Sequence, residues 1–200
     1  KLRLAQMKEI ENEGFAPDIY NVMEKNMQLA DSLKRPSCQD TGIPQFFARV
    51  GSKWPYMDII EDALIDAVKN ATANAPLRPN AVEVFDEKNT GNNIGTHSPW
   101  IDWEIVKDSD ELELDFYMAG GGCSLPGFSK VLMPLEGYEG IAKAVFEQMT
   151  TYGVNACPPC LVGIGIAGSS EVAAKLSKKA LLRQVGSHNP NPKAAEMEKL

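Results

Sequence analysis

Ile101-Asp102-Trp103-Glu104-Ile105-Val106 and Leu112-Glu113-Leu114-Asp115-Phe116-Tyr117-Met118 are the stretches that decide the fold class. Successive strand side chains point to opposite faces, so a period of two marks a strand with one apolar and one wet face. Ile101, Trp103 and Ile105 alternate with Asp102, Glu104 and Val106, and Leu112, Leu114, Phe116 and Met118 alternate with Glu113, Asp115 and Tyr117. Asp108-Ser109-Asp110 between them has turn composition, which predicts an antiparallel hairpin. The second strand runs directly into Ala119-Gly120-Gly121-Gly122.

Helical patterns flank this β signal. From Pro17 to Leu33, Ile19, Val22, Met23, Met27, Ala30 and Leu33 form one apolar stripe, and Pro36 stops it. A short strand is predicted over Gln45–Val50, and a second helix over Tyr56–Ala73, closed by Asn74-Ala75-Pro76. Pro76 to Pro99 reads as loop. Beyond the glycines come a helix over Tyr138–Tyr152, a short strand over Leu161–Ile166 and a helix from Ser170 to Arg183. A last helix starts near Lys193 and keeps its pattern to Leu200, so the natural chain is expected to continue. The mixture predicts an α+β fold, with helices packed on small mixed or antiparallel sheets rather than alternating βαβ units. No repeat or linker interrupts residues 1–200, which read as one domain.

Composition narrows the function. The 200 residues carry a net charge of −7, which argues against a nucleic-acid surface. A small anionic substrate stays possible, because a few local cations dominate a pocket. No apolar run approaches the roughly 18 residues that cross a bilayer, and no secretory signal is visible. Cysteines at 38, 123, 157 and 160 are too few for a disulfide scaffold and read as intracellular, cytoplasmic thiols.

Chemistry concentrates in Cys38-Gln39-Asp40-Thr41-Gly42. A soft thiolate suits zinc or an iron–sulfur cluster, and an adjacent carboxylate suits proton transfer. Other motifs read more than one way. Gly163-Ile164-Gly165-Ile166-Ala167-Gly168 is formally a dinucleotide fingerprint. It equally suits close strand–helix packing with Ser169 or Ser170 as N-cap, or an anion at the helix start. Cys157-Pro158-Pro159-Cys160 is a redox or zinc pattern, or a pair of buried inert thiols. Gly120-Gly121-Gly122 is a plain bulge or turn, or a nest of N–H groups for a carboxylate. Arg78, beside Pro79 in a loop, is a solvated cation or a carboxylate clamp.

Taken in order, these motifs resemble one family. Cys-Gln-Asp-Thr-Gly, Leu77-Arg78-Pro79, Asn89-Thr90-Gly91-Asn92-Asn93, the glycine run, Asn155-Ala156-Cys157-Pro158-Pro159 and Gly163-Ile164-Gly165-Ile166-Ala167-Gly168 look like the α-type segment of iron–sulfur hydro-lyases. These are the class I fumarate hydratases and the L(+)-tartrate dehydratases, and the match covers about Leu33 to Arg183. The resemblance implies a [4Fe–4S] cluster with one open iron, held by Cys38, Cys157 and a third cysteine outside these residues. It carries substrate contacts over to Gln39, Asp40, Arg78 and the backbone N–H near Gly121; Asp40 is the candidate acid–base residue, as acid or as base. The expected reaction is reversible hydration of a C4 dicarboxylate, fumarate/malate first and tartrate as the alternative. It also implies a β subunit or fused β domain, in a homo- or hetero-oligomer. Gly122-Cys123-Ser124-Leu125-Pro126 departs from the Ser-Glu-Asn that commonly follows the glycines in class I fumarate hydratases, which leaves the substrate open. Two other classes compete: a dinucleotide-binding oxidoreductase domain and a non-catalytic scaffold subunit.

Overall fold

A computed structural model describes residues 1–11 and 13–200. The chain divides into two compact units, Lys1–Gly121 and Gly122–Leu200. The architecture is α+β, as predicted.

The first unit is built on β1 (Ile43–Gly51), the middle strand of a three-stranded sheet. β4 (Trp100–Val106) lies parallel to it, and β5 (Leu112–Ala119) lies antiparallel on its other side. The predicted hairpin is therefore corrected: β1 inserts between the two alternating strands. The reason lies in β1 itself. Phe46, Ala48 and Val50 on one face and Phe47 on the other are all buried. A strand buried on both faces belongs in the middle, and strands with one wet face belong at the edges. The short link between β4 and β5 survives as a cap over the end of β1, where Glu111 O accepts from Gly51 N at 2.8 Å and Ser109 O from Lys53 N at 2.9 Å.

α3 (Ile60–Asn74) covers one face of this sheet. Ile60, Leu64, Val68 and Thr72 recur every four residues and are buried. Ile60, Leu64 and Val68 pack with Phe46 and the partly buried Ile101, Trp103 and Leu112. The helix begins four residues later than predicted, because residues 56–59 form turns and Glu61 and Asp62 occupy its first turn, where carboxylates complement the helix dipole. α3 thus bridges the parallel pair β1 and β4, one βαβ connection inside a mixed sheet, which is among the sheet types expected. A small ladder of β2 (Val82–Glu83) and β3 (Lys88–Asn89) closes the loop that follows.

α1 (Leu2–Ile10) and α2 (Ala16–Leu33) form an antiparallel pair. Lys8 pairs with Glu24 at 3.0 Å, Lys1 with Asp31, and the Tyr20 hydroxyl donates to Glu11 at 2.6 Å. α1 was invisible to periodicity because it has no apolar stripe. The stripe expected on α2 exists, but Ile19, Val22 and Leu33 stay largely exposed.

In the second unit, α5 (Gly137–Tyr152) and α6 (Ser170–Leu181) match the predicted helices, α7 (Pro192–Met197) starts where predicted but ends at Met197 rather than keeping its pattern to Leu200, and α4 (Gly121–Ser124) is a single turn straddling the boundary between the units. Residues 161–166 belong to no strand, which corrects that expectation. Their backbone lies flush on α6: a β-carbon at Gly163 would sit 2.2 Å from Ser177 O, and one at Gly165 2.0 Å from Ala173 O. The glycine pattern therefore serves close packing against a helix, and the strand that a dinucleotide fingerprint requires is missing. Ser169 occupies the N-cap position of α6, as predicted, without a side-chain cap bond.

Candidate functional site

The register of β1 against β5 creates the first part of the site. Ile43 at the start of β1 pairs with Ala119 at the end of β5. Cys38-Gln39-Asp40-Thr41-Gly42, which leads into β1, is therefore laid beside Gly120-Gly121, which leaves β5. Gly42 has φ +85°, and a β-carbon there would lie 2.6 Å from the Ala119 backbone. A side chain would be strained at that φ and would also clash with β5.

Asp40 is held on two sides. Asn80 Nδ2 donates to its Oδ1 at 3.0 Å. Behind the other oxygen stands Gly120, where a β-carbon would come within 2.0 Å of Oδ2. The same loop is tied back a second time, through Arg78 N donating to Thr41 Oγ1 at 2.9 Å. Asn80 and Arg78 follow directly from the end of α3, so the helix that builds the core also delivers them.

An open groove runs past these residues, lined in part by Asn26, Arg35, Cys38, Gln39, Thr41 and Arg78. The side chains of Cys38, Gln39 and Arg78 are exposed. The guanidinium of Arg78 has no ion-pair partner among the described residues. In a chain of net charge −7, a loop arginine left unneutralised favours an anion. Gly121 and Gly122 begin the single helical turn α4, in line with the turn reading, and Gly120 precedes it.

In the second unit, Cys157 N donates to Gly122 O at 3.2 Å, and the bare Cα of Gly122 faces the Cys157 thiol. All four cysteines are exposed and outside disulfides, which overturns the reading of Cys157 and Cys160 as buried inert thiols. No group of three or more His, Cys, Asp or Glu side chains among the described residues forms a metal cage. Cys38 and Cys157 are each accessible thiols on loops, the soft ligand type that iron–sulfur clusters take. Cys38 Sγ lies 3.7 Å from Gln39 Oε1, a weak contact that leaves the thiol accessible.

The sequence profile of the fumarate hydratase (Fumerase) family matches residues 1–200. The chain belongs to that family. It is 57% identical over 196 residues to the L(+)-tartrate dehydratase subunit alpha of Escherichia coli strain K12, covering 98% of this chain and 65% of that protein. The subunit of the same name from Escherichia coli O157:H7 is also 57% identical. A putative L(+)-tartrate dehydratase subunit alpha of Methanocaldococcus jannaschii is 37% identical over 193 residues, covering 94% of this chain and 67% of that protein. The chain thus spans about two thirds of the length of these relatives. No helix among the described residues of this family member is long and apolar enough to cross a membrane.

Three residues of the site escaped sequence reading. Asn80 and Asn93 stood inside the stretch read as loop, and Arg35 lies between the end of the predicted helix at Leu33 and Pro36. Adjacency to Arg78 in Leu77-Arg78-Pro79-Asn80 was the available signal for Asn80. Asn93 and Arg35 offered none beyond their residue type.

Proposed function

We propose that this family member is the α part of a hydro-lyase that removes water from, or adds it to, a C4 dicarboxylate. The observation that carries the reading is Asp40 clamped between Asn80 and Gly120, next to the unneutralised Arg78. L(+)-tartrate ranks ahead of malate/fumarate as substrate, because the alpha subunits that are 57% identical carry that name.

The chain's own groups divide the work. Arg78 binds one substrate carboxylate through its guanidinium fork. The N–H near Gly121 meets a carboxylate oxygen, since the first N–H groups of a helical turn have no partner within it. Gln39 orients the substrate by hydrogen bonding. Asp40 transfers a proton, for which a positioned carboxyl group is the required part. Cys38 and Cys157 would hold a [4Fe–4S] cluster together with a third thiolate from outside residues 1–200. When bound, that cluster supplies a Lewis acid that assists departure of the hydroxyl group.

The rest of the pocket comes from a β subunit or a fused β domain, in a homo- or hetero-oligomer, as the word "subunit" in the relatives' names supports. Thiols outside disulfides suit a reducing compartment such as the cytoplasm.

The test is anaerobic reconstitution of the full-length protein, with its β part, using iron and sulfide. Turnover of L(+)-tartrate or malate supports the reading; iron-loaded protein without turnover of either overturns it. Full activity of an Asp40→Asn variant would instead favour a scaffold role for this chain.

A further inference from the structure

We propose that Asn80 is a positioning residue for Asp40, and that Asn93 is the anchor that sets Asn80 in place. The inference rests on the acid–base role given to Asp40 above. Asn93 has no solvent exposure and φ +62°. Its amide is fully engaged. Oδ1 accepts from Asn80 N at 2.7 Å and Ala81 N at 3.2 Å, while Nδ2 donates to Thr72 Oγ1 at 3.0 Å and Arg78 O at 3.1 Å. Two backbone donors on one oxygen fix which end of the amide is which. Thr72 lies in the buried stripe of α3 and is itself bonded back to Val68 O at 2.8 Å.

One buried side chain therefore spells out the path of residues 78–81 and ties it to the core helix. The consequence appears at the far end of Asn80. Its amide N–H takes Oδ1 of Asp40, and the Gly120 Cα confines Oδ2. A short carboxylate held at both oxygens keeps one rotamer. Catalytic groups held by buried hydrogen-bonded neighbours lose little time in unproductive geometries. Nothing in the geometry asks Asn80 to touch substrate.

The test uses the full-length protein with its β part and compares Asn80→Ala and Asn80→Asp with wild type, each also in an Asp40→Asn background. A hydrogen bond to a charged group corresponds to about ten- to one-hundredfold in rate. Asn80→Ala is expected to lower kcat by that factor with KM unchanged, and to cost nothing further once Asp40 is Asn. Asn80→Asp, equal in shape but opposing two carboxylates, is expected to lose more than Asn80→Ala; a space-filling role gives the reverse order. A crystal structure of Asn80→Ala supplies the arm that needs no turnover, with the Asp40 carboxylate expected to leave its wild-type rotamer. Additive losses in the Asp40→Asn background, or an unmoved Asp40 in that crystal structure, overturn the proposal. If the wild-type protein turns over neither tartrate nor malate, the hydro-lyase reading fails, and the crystal structure alone decides whether Asn80 positions Asp40.

Discussion

Gly122 lies against Cys157: a β-carbon at Gly122 would stand 3.0 Å from the Cys157 sulfur, while the Cys157 N–H bonds to the Gly122 carbonyl at 3.2 Å. The contact explains why a glycine directly after Gly121 matters for a thiol far along the chain. Adding a methyl group forces the thiol to shift by a few tenths of an ångström, a change a cluster ligand tolerates poorly. Gly122→Ala is therefore expected to lower iron per protein and the visible absorbance of the reconstituted protein, with its melting temperature little changed. Gly121→Ala, with nothing within 4 Å of the added carbon, is expected to keep its iron content.

Gly120 stands to Asp40 as Gly122 does to Cys157, but closer. A β-carbon there would meet Asp40 Oδ2 at 2.0 Å. Alanine must push the carboxylate away, breaking its bond to Asn80. We expect Gly120→Ala to lower kcat as far as Asp40→Ala does. Steady-state kinetics of both variants check this; a Gly120→Ala enzyme with wild-type kcat would mean that Gly120 does not confine the Asp40 carboxylate.

Replacement of the thiols sorts ligands from bystanders. Cys38→Ser and Cys157→Ser are expected to abolish cluster assembly, because a hydroxyl is a hard, weakly acidic ligand in place of a soft thiolate. Cys123→Ser and Cys160→Ser are expected to retain it. Electron paramagnetic resonance and iron analysis after anaerobic reconstitution read the difference.

Asn93 offers a stability test separate from activity. Asn93→Ala leaves the N–H groups of Asn80 and Ala81 without their acceptor. Each buried donor left unsatisfied costs about 1–3 kcal/mol. A loss of about 3 kcal/mol or more is expected by urea denaturation, against about 0.5 kcal/mol or less for the exposed Lys69→Ala.

Glu198 predicts a local pH dependence in the second unit. Its carboxyl is held below the ordinary carboxylate value of 4.5, first by the hydrogen bond from Arg183 and then by the backbone N–H of Asn189. Those bonds measure 2.6 and 3.1 Å. A depressed carboxyl contributes stability that is complete above its unfolded value and is lost as pH falls through its folded value. The protection factor of the Asn189 amide in hydrogen exchange is expected to fall on acidification below about 4.5. Glu198→Gln should flatten that dependence.

Local signals were legible in the chain wherever one residue's neighbours in sequence are also its neighbours in space. The stripes of α2, α3, α5 and α6 read directly, as did the alternation of β4 and β5 and the cysteine-bearing loops. α1 was missed because ion pairs with α2, such as Lys8–Glu24, bring it alongside rather than an apolar face of its own. Residues 161–166 were read as a strand because an apolar run with glycines suits a strand and a coil on a helix equally well.

Pairing is where sequence reading went astray. Alternation in β4 and β5 reports two half-wet strands but says nothing about which strand lies between them. Phe47, buried on the face opposite Phe46, was the clue that β1 takes the centre. The site depends on that outcome, since it is the pairing of Ile43 with Ala119 that lays Asp40 beside Gly120.

By itself, then, the order of residues determined the α+β class, the helices with an apolar stripe, the cysteine loops and the family resemblance, because each depends on short-range periodicity or contiguous motifs. The tertiary structure alone decided the order β4-β1-β5, the clamp of Asn80 and Gly120 on Asp40, and the burial of Asn93 beneath the loop that carries Arg78. These depend on contacts between residues tens of positions apart, whose choice among competing pairings is made by the burial of β1 on both faces and not by any local pattern.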